Sequence, residues 1–292
     1  MNKPNAFLIG APKCGTTSLM RWLSFHPEVF VSSIKEPYYF ADDLNIGQVK
    51  GIDDYECLFK SSQSKHKVII EGSTGYLYSR NAVKNIIEYC DEPPKFIIML
   101  RNPIEMSVSL HSQIYYMGWD DIDDFEKAWD LQYKRKCGYF IPNVCKEPKV
   151  LYYKDWCMLG EQLKRFIALV EDKGVSYHIM WIDDLRLSPA IEYRKLMNFL
   201  GIDSSIQIEF DVLNEAKTPK SNAVNRLFNM AYLMKKKLNI QKNFGLTKIN
   251  SQIKTKKDIS LYMRKLLVSE FKDDICLLGQ LTNRDLRKWV EL

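Results

Sequence analysis

The first residues with a spacing suited to chemistry lie in Phe7-Leu8-Ile9-Gly10-Ala11-Pro12-Lys13-Cys14-Gly15-Thr16-Thr17-Ser18-Leu19. The apolar lead-in predicts a strand, and the Thr-Thr-Ser-Leu exit predicts the start of a helix. A helix N-terminus leaves N–H groups unpaired and carries partial positive charge, so it is a seat for phosphate. The amides of Gly15, Thr16, Thr17 and Ser18 are expected to wrap such a group, with the threonine hydroxyls as further donors. The common triphosphate loop reads G-x-x-x-x-G-K-[ST], its lysine directly after the second glycine. Here Gly10 and Gly15 keep the spacing, Thr16 stands at the lysine position, and the only lysine is Lys13. A cation there suits charge that builds on the bridging oxygen of a departing phosphate. The plainer reading is a glycine turn that merely opens a helix. The flanking strand and helix weaken it.

A second constellation is Arg101-Asn102-Pro103-Ile104-Glu105-Met106-Ser107-Val108-Ser109, at the end of an apolar run. The guanidinium fork matches phosphate, and a serine hydroxyl eight residues on adds a short bond. Taken singly, these are also an arginine closing a strand and a serine in a helix. Two phosphate grips on one chain suggest a ligand phosphorylated at two ends. The third constellation is Ser33-Ile34-Lys35-Glu36-Pro37-Tyr38-Tyr39-Phe40. Pro37 is expected to bias Glu36 toward extended geometry and aim its carboxylate across a crevice. A carboxylate there could take a proton from an alcohol or amine. Lys35 beside it could bind an acidic substrate. An exposed Lys-Glu turn over an aromatic cluster is the alternative.

The elements that must position these groups follow from short apolar runs alternating with amphipathic stretches, the pattern of parallel strands joined by helices. Strands are expected at Ala6–Ile9, Val29–Val31, Val68–Glu71, Phe96–Arg101 and Ser176–Ile182. Helices are expected at Thr16–Phe25, Ala82–Tyr89, Pro103–Met117, Phe125–Gln132, Lys154–Glu171 and Ile191–Leu200. The first helix should stop at His26-Pro27, because proline disfavours α geometry in the residue before it. Gly160 is an awkward residue inside the fifth. Phe96-Ile97-Ile98-Met99-Leu100 reads as a central strand covered on both faces. The fold class is therefore α/β, a doubly wound parallel sheet with a P-loop-like turn and its ligand crevice at the carboxyl ends of the strands.

After Phe210 the pattern changes to a polar loop and lysine-rich stretches. Helices are expected near Asn222–Leu238 and Ser260–Gln280, the latter capped by Asp258 or Ser260. Between them, Asn239–Lys257 reads as a mobile loop that could gate a substrate. From Lys217 to Lys272 there are fourteen Lys/Arg against Asp258 and Glu270. Such a field favours anionic partners, although a solvated lysine face explains much of it equally well. Residues 1–292 are expected to make a single domain, with a basic helical portion from about 217 to 292 packed on it.

The 292 residues carry a formal net charge of +6 and 46% hydrophobic residues, a composition that suits a globular chain. No apolar run approaches a membrane span, and the start is too short for a secretory signal. Seven cysteines form no C-x-x-C pair, a pattern that suits reduced thiols in a cytoplasm; a Cys137–Cys145 bridge is the minor alternative. No ligand cluster calls for a metal.

Taken together, the three motifs resemble those of sulfotransferases that use 3′-phosphoadenosine 5′-phosphosulfate (PAPS), especially the heparan sulfate N- and O-sulfotransferase type and its bacterial relatives. The resemblance implies that Lys13, Cys14, Gly15, Thr16, Thr17 and Ser18 bind the 5′-phosphosulfate. It implies that Arg101 and Ser109 hold the 3′-phosphate, with Glu36 as general base. It extends through Gly51-Ile52-Asp53-Asp54-Tyr55, Glu71-Gly72-Ser73-Thr74-Gly75-Tyr76, Phe199-Leu200-Gly201-Ile202, Asn214, Pro219-Lys220-Ser221 and Trp289. Lys220 and Ser221 fall where relatives close a loop on the donor. Met106 departs from an arginine common in relatives. In animal heparan sulfate enzymes a lysine follows the third-strand glutamate, but Gly72 follows Glu71. Lys35 and Lys220 are candidate replacements for the missing cation. Lys35, Tyr76 and His111 are candidate acceptor contacts, though a structural role is the commoner one for such a histidine.

The expected function is sulfuryl transfer from PAPS to a hydroxyl or amine, with an anionic glycan as the favoured acceptor. A lipid, small metabolite or peptide tyrosine stays open, as does the oligomeric state. A P-loop-type nucleotide kinase is the rival enzyme; against it, no lysine follows Gly15 and no strand ends in an evident metal-binding aspartate pair. A non-catalytic nucleotide- or nucleic-acid-binding module would need interleaved aromatics, and between Lys235 and Lys257 only Phe244 qualifies. Nucleic acid is thus disfavoured, and no membrane contact is expected.

Overall fold

A strand buried on both faces reads as an unbroken apolar run, and in the computed structural model Phe96–Leu100 lies at the middle of such a strand, every side chain buried. The structure describes residues 3–210, 217–219, 251–253 and 259–291. Strands β1 (Ala6–Gly10), β2 (Val29–Val31), β3 (Val68–Gly72), β4 (Lys95–Leu100) and β5 (Ser176–Trp181) form one sheet in the order β2-β3-β1-β4-β5. All pairings are parallel, with Ala6 opposite both Ile70 and Lys95. The chain runs from β1 outward to β2, returns through β3, and crosses β1 to reach β4. The crevice at this reversal lies beyond the carboxyl end of β1, where doubly wound sheets take their ligands.

The flanking helices are α1 (Thr16–Ser24), α2 (Ile52–Cys57), α3 (Ala82–Tyr89), α4 (Pro103–Tyr116), α5 (Phe125–Asp130) and α6 (Gln132–Lys136). They continue as α7 (Tyr153–Cys157), α8 (Leu159–Val170), α9 (Ile182–Leu187), α10 (Pro189–Leu200) and α11 (Leu261–Thr282). Helix α1 ends at Ser24, two residues before His26, in keeping with the proline that follows. Asn102 starts α4 by accepting from the Ile104 amide at 2.9 Å, and Ser260 caps α11 by accepting from the Met263 amide at 3.0 Å.

The single helix expected over Lys154–Glu171 is two helices that meet at Met158. The cause is distant in sequence. Asp274 on α11 accepts the Gly160 and Glu161 amides at 2.9 and 2.8 Å, which caps α8 at its start. Gly160 is there because a Cβ would collide with the Asp274 main chain. Lys154–Glu270 and Arg284–Asp184 ion pairs fasten the same C-terminal segment to the sheet domain. Beside α7, Arg135 grips Asp120 with two 2.7 Å bonds, both side chains fully buried, and Tyr153 donates to the same carboxylate.

Within the tract read as a mobile loop, Ser251–Ile253 forms β7, antiparallel to β6 (Lys217–Pro219). The helix expected over Asn222–Leu238 and the rest of that tract lie outside the described residues. So do Lys220 and Ser221. All seven cysteines are free. Among the described residues no helix is long and apolar enough to cross a membrane.

Candidate active site

The loop after β1 turns into α1 through Gly15, which holds φ +86°, a left-handed conformation natural to glycine. Gly15 is also the N-cap, and it brings no side chain to the exposed amides of the first turn. The Ser18 amide is already spent on the Gly15 carbonyl at 3.1 Å, so the amides facing outward belong to Gly15, Thr16 and Thr17. Cys14 points into the core, its thiol donates to the Pro12 carbonyl at 3.4 Å, and burial pushes it up to about 12. Only its main chain can meet a ligand. Thr16 and Ser18 are buried, while Thr17 is half-buried and accepts a 2.7 Å bond from Lys35 Nζ. Lys13 ionises below its ordinary range, first because of its burial and then because of the Arg101 and Lys35 cations nearby.

Arg101 leaves the end of β4 and reaches back to this loop. Its Nη1 donates to the Lys13 carbonyl at 3.0 Å, and its Nη2 to Glu105 Oε2 at 2.7 Å. Its Nε is buried without a partner. Ser109 is half-buried two turns along α4; the direct contacts of Arg101 are Glu105 and the loop. Met106 is fully buried and serves packing. An uncapped helix start, an orphaned guanidinium nitrogen and a second cation therefore meet at the carboxyl ends of β1 and β4. That donor set fits a ligand phosphorylated at two ends.

The Lys35-Glu36-Pro37-Tyr38 turn departs from expectation. Glu36 and Tyr38 both take φ +54°, a left-handed conformation in place of the extended one that Pro37 favours. Hydrogen bonds to the end of β3 impose this shape. The Glu36 amide donates to the Gly72 carbonyl at 3.2 Å, and the Tyr38 amide to Ser73 Oγ at 3.0 Å. Gln48 Nε2 donates to the carbonyls of Lys35 and Glu36, each at 3.1 Å. The result still brings the Glu36 carboxylate close to the α1 loop, within electrostatic reach of Lys13 and Lys35. Lys35 Nζ lies 3.7 Å from its Oε1, and the Tyr38 hydroxyl donates to its Oε2 at 3.2 Å.

Two expected acceptor contacts are corrected by burial. Tyr76 is 0% exposed; its hydroxyl accepts from the Phe40 amide at 3.3 Å and its ring packs on Tyr38 and Phe40. His111 is 3% exposed, and its Nε2 donates to the Ile122 carbonyl at 2.9 Å between Phe125 and Tyr153. Neither presents surface to an acceptor. Four residues beyond the sequence candidates stand at this turn: Tyr38, Glu71, Ser73 and Thr74. Glu71, next to last in β3, is fully buried, takes a 2.6 Å bond from Ser73 Oγ, and is pushed up to about 7, mainly by burial. The available signal was an acid at the end of the otherwise apolar Val68-Ile69-Ile70-Glu71.

Comparisons with known proteins agree with this geometry. Residues 3–278 match the family described as the sulfotransferase domain. Human heparan sulfate glucosamine 3-O-sulfotransferase 5 is 25% identical over 203 residues, which cover 70% of this chain and 55% of that protein. Human carbohydrate sulfotransferase 15 is 30% identical over 167 residues, 42% of this chain and 29% of that one. The chain thus spans about half the length, or less, of the curated relatives it matches. The crystal structure of a sulfotransferase from Alicyclobacillus acidocaldarius shares the fold at a TM-score of 0.74, with 20% identity and all of both chains covered. A displaced loop lysine, an arginine returning from β4 and a match over nearly the whole length lead to one assignment: the chain belongs to the sulfotransferase domain family.

Proposed function

We propose that this chain transfers a sulfuryl group from PAPS to a hydroxyl or amine of an anionic glycan. The observation that carries the reading is the meeting of Lys13, Lys35 and Glu36 at the mouth of the α1 loop, with Lys35 Nζ 2.7 Å from Thr17 Oγ1 and 3.7 Å from Glu36 Oε1. PAPS supplies an activated sulfuryl group on a phosphate leaving group. The amides of Gly15, Thr16 and Thr17 would hold its 5′ end, with main-chain support from Cys14 and side-chain support from Thr17. Arg101, with Ser109, would hold the 3′-phosphate through the fork that phosphate geometry suits.

Within that grip Glu36 accepts the proton of the attacking hydroxyl or amine as its new bond to sulfur forms. The bond from sulfur to the bridging oxygen breaks, and Lys13 stabilises the electron pair left on that oxygen. Lys35 stands between donor loop and base, where it could replace the cation missing at Gly72. The glycan acceptor is supported by the human relatives, whose names specify heparan sulfate glucosamine and carbohydrate. It is also supported by the fourteen basic residues between Lys217 and Lys272.

The test is Glu36→Gln, assayed with PAPS and a panel of glycans that includes heparan sulfate, with sulfated products read by mass spectrometry. Turnover is expected to fall about 10²- to 10⁴-fold while the adenosine bisphosphate product binds as before by calorimetry. Turnover near that of the parent protein removes Glu36 from the mechanism.

A further inference from the structure

Behind Glu36 lies a relay of hydroxyl groups that the reaction as described does not use. The Tyr38 hydroxyl is 3.2 Å from Glu36 Oε2 and 3.0 Å from Thr74 Oγ1. A carboxylate can only accept, so the single phenol proton goes to Glu36 and the Thr74 hydroxyl donates to the phenol oxygen. The order Thr74 to Tyr38 to Glu36 is therefore fixed by chemistry.

The ring is held as firmly as its proton. The Tyr38 amide donates to Ser73 Oγ at 3.0 Å, and Ser73 donates in turn to the buried Glu71 at 2.6 Å. Gly75 leaves the space the ring occupies, since a Cβ there would stand 2.8 Å from Tyr38 Cε1 and 3.1 Å from Trp156. Burial, and then the neighbouring Glu36, raise Tyr38 well above the ordinary tyrosine range, so it stays a donor. The charged groups facing Glu36 are Lys35 from its own turn, Lys13 from the α1 loop and Glu71 from β3. Lys35 is near Oε1 and Tyr38 occupies Oε2, which leaves Oε1 to receive a proton.

We propose that Tyr38, aligned by Thr74, is a positioning residue that holds the Glu36 carboxylate in one orientation for proton removal. The proposal rests on the reading of Glu36 as the base. A phenol that only fills space would give the same packing, so the informative change keeps the ring and deletes its proton.

In Tyr38→Phe, assayed with PAPS and heparan sulfate, kcat is expected to fall about ten- to a hundred-fold. The acceptor KM and the affinity for the bisphosphate should stay within about twofold, because neither grip is touched. Thr74→Val should lower kcat in the same direction, and Thr74→Ser should restore it. Crystals of Tyr38→Phe with the bisphosphate give a reading that needs no acceptor: the Glu36 carboxylate should leave its present orientation. An unmoved carboxylate, or a kcat within about twofold of the parent, overturns the proposal. Should Tyr38→Phe fail to fold, the Thr74 pair decides, and Val as active as Ser overturns it. Glu36→Gln measured alongside separates the two ideas. If it is inactive while Tyr38→Phe is fully active, only the positioning role falls; if it is active, the base reading falls and takes this role with it.

Discussion

Lys35 and Thr17, eighteen residues apart in the chain, are joined by a 2.7 Å hydrogen bond from the ammonium to the threonine hydroxyl. The same ammonium sits 3.7 Å from Glu36, so one flexible cation touches both the donor loop and the proposed base. The Lys35 side chain is 57% exposed, which places it at the rim rather than in the core. Lys35→Met should therefore leave the melting temperature unchanged. It should lower kcat/KM for PAPS about ten- to a hundred-fold, less than a fully enclosed donor would. Steady-state kinetics at fixed acceptor check this, and an unchanged kcat/KM would show that Lys13 alone supplies the needed charge.

Arg101 has a different geometry and a different expected effect. Its fork spans the Lys13 carbonyl and Glu105, and its Nε is buried without a partner. Arg101→Lys keeps the charge but loses the planar fork. Calorimetric titration with the bisphosphate should show affinity weakened about ten- to a hundred-fold, the range for a lost charge-assisted bond. Equal affinity in the two proteins would mean that the 3′-phosphate is held elsewhere.

Glu71 makes stability depend on pH in an unusual direction. Its ordinary value is 4.5, and burial raises it to about 7 against the pull of bonds from Ser73, Tyr76 and Tyr55. The folded chain thus keeps this proton up to about pH 7, while the unfolded chain releases it near 4.5. Folding takes up a proton between those values, so the stabilisation is full below about 4.5 and is lost as pH rises through about 7. Glu71→Gln cannot titrate. Urea denaturation of the two proteins at pH 5 and pH 8 should show the parent losing on the order of 3 kcal/mol more than the variant. A difference that does not change with pH would place the titration of Glu71 near that of an ordinary glutamate.

What could be read in advance was what is local. The glycine spacing around Lys13, the apolar run Phe96–Leu100 and the Asn102-Pro103 helix start each carry their cause within a few residues. The five strands follow from such runs. The turn at Glu36 does not, because its amides donate to Gly72 and Ser73 at the end of β3, and these bonds set its backbone and override the bias from Pro37. The break at Met158 does not either, since its cause is Asp274, more than a hundred residues on. Tyr76 and His111 were misplaced for a related reason. A hydroxyl or an imidazole reads as a tool for binding, yet in both cases a main-chain partner inside the core consumes it.

Because β1 runs between β3 and β4, the loop of Lys13, the turn held at Ser73 and the arginine at the end of β4 rise from three adjacent strands of one stiff sheet. Their relative placement is set by hydrogen-bond register and not by the helices that follow. That spacing can persist while the connections beyond α4 lengthen, shorten or change sequence, because none of them sets the pairing of β3, β1 and β4.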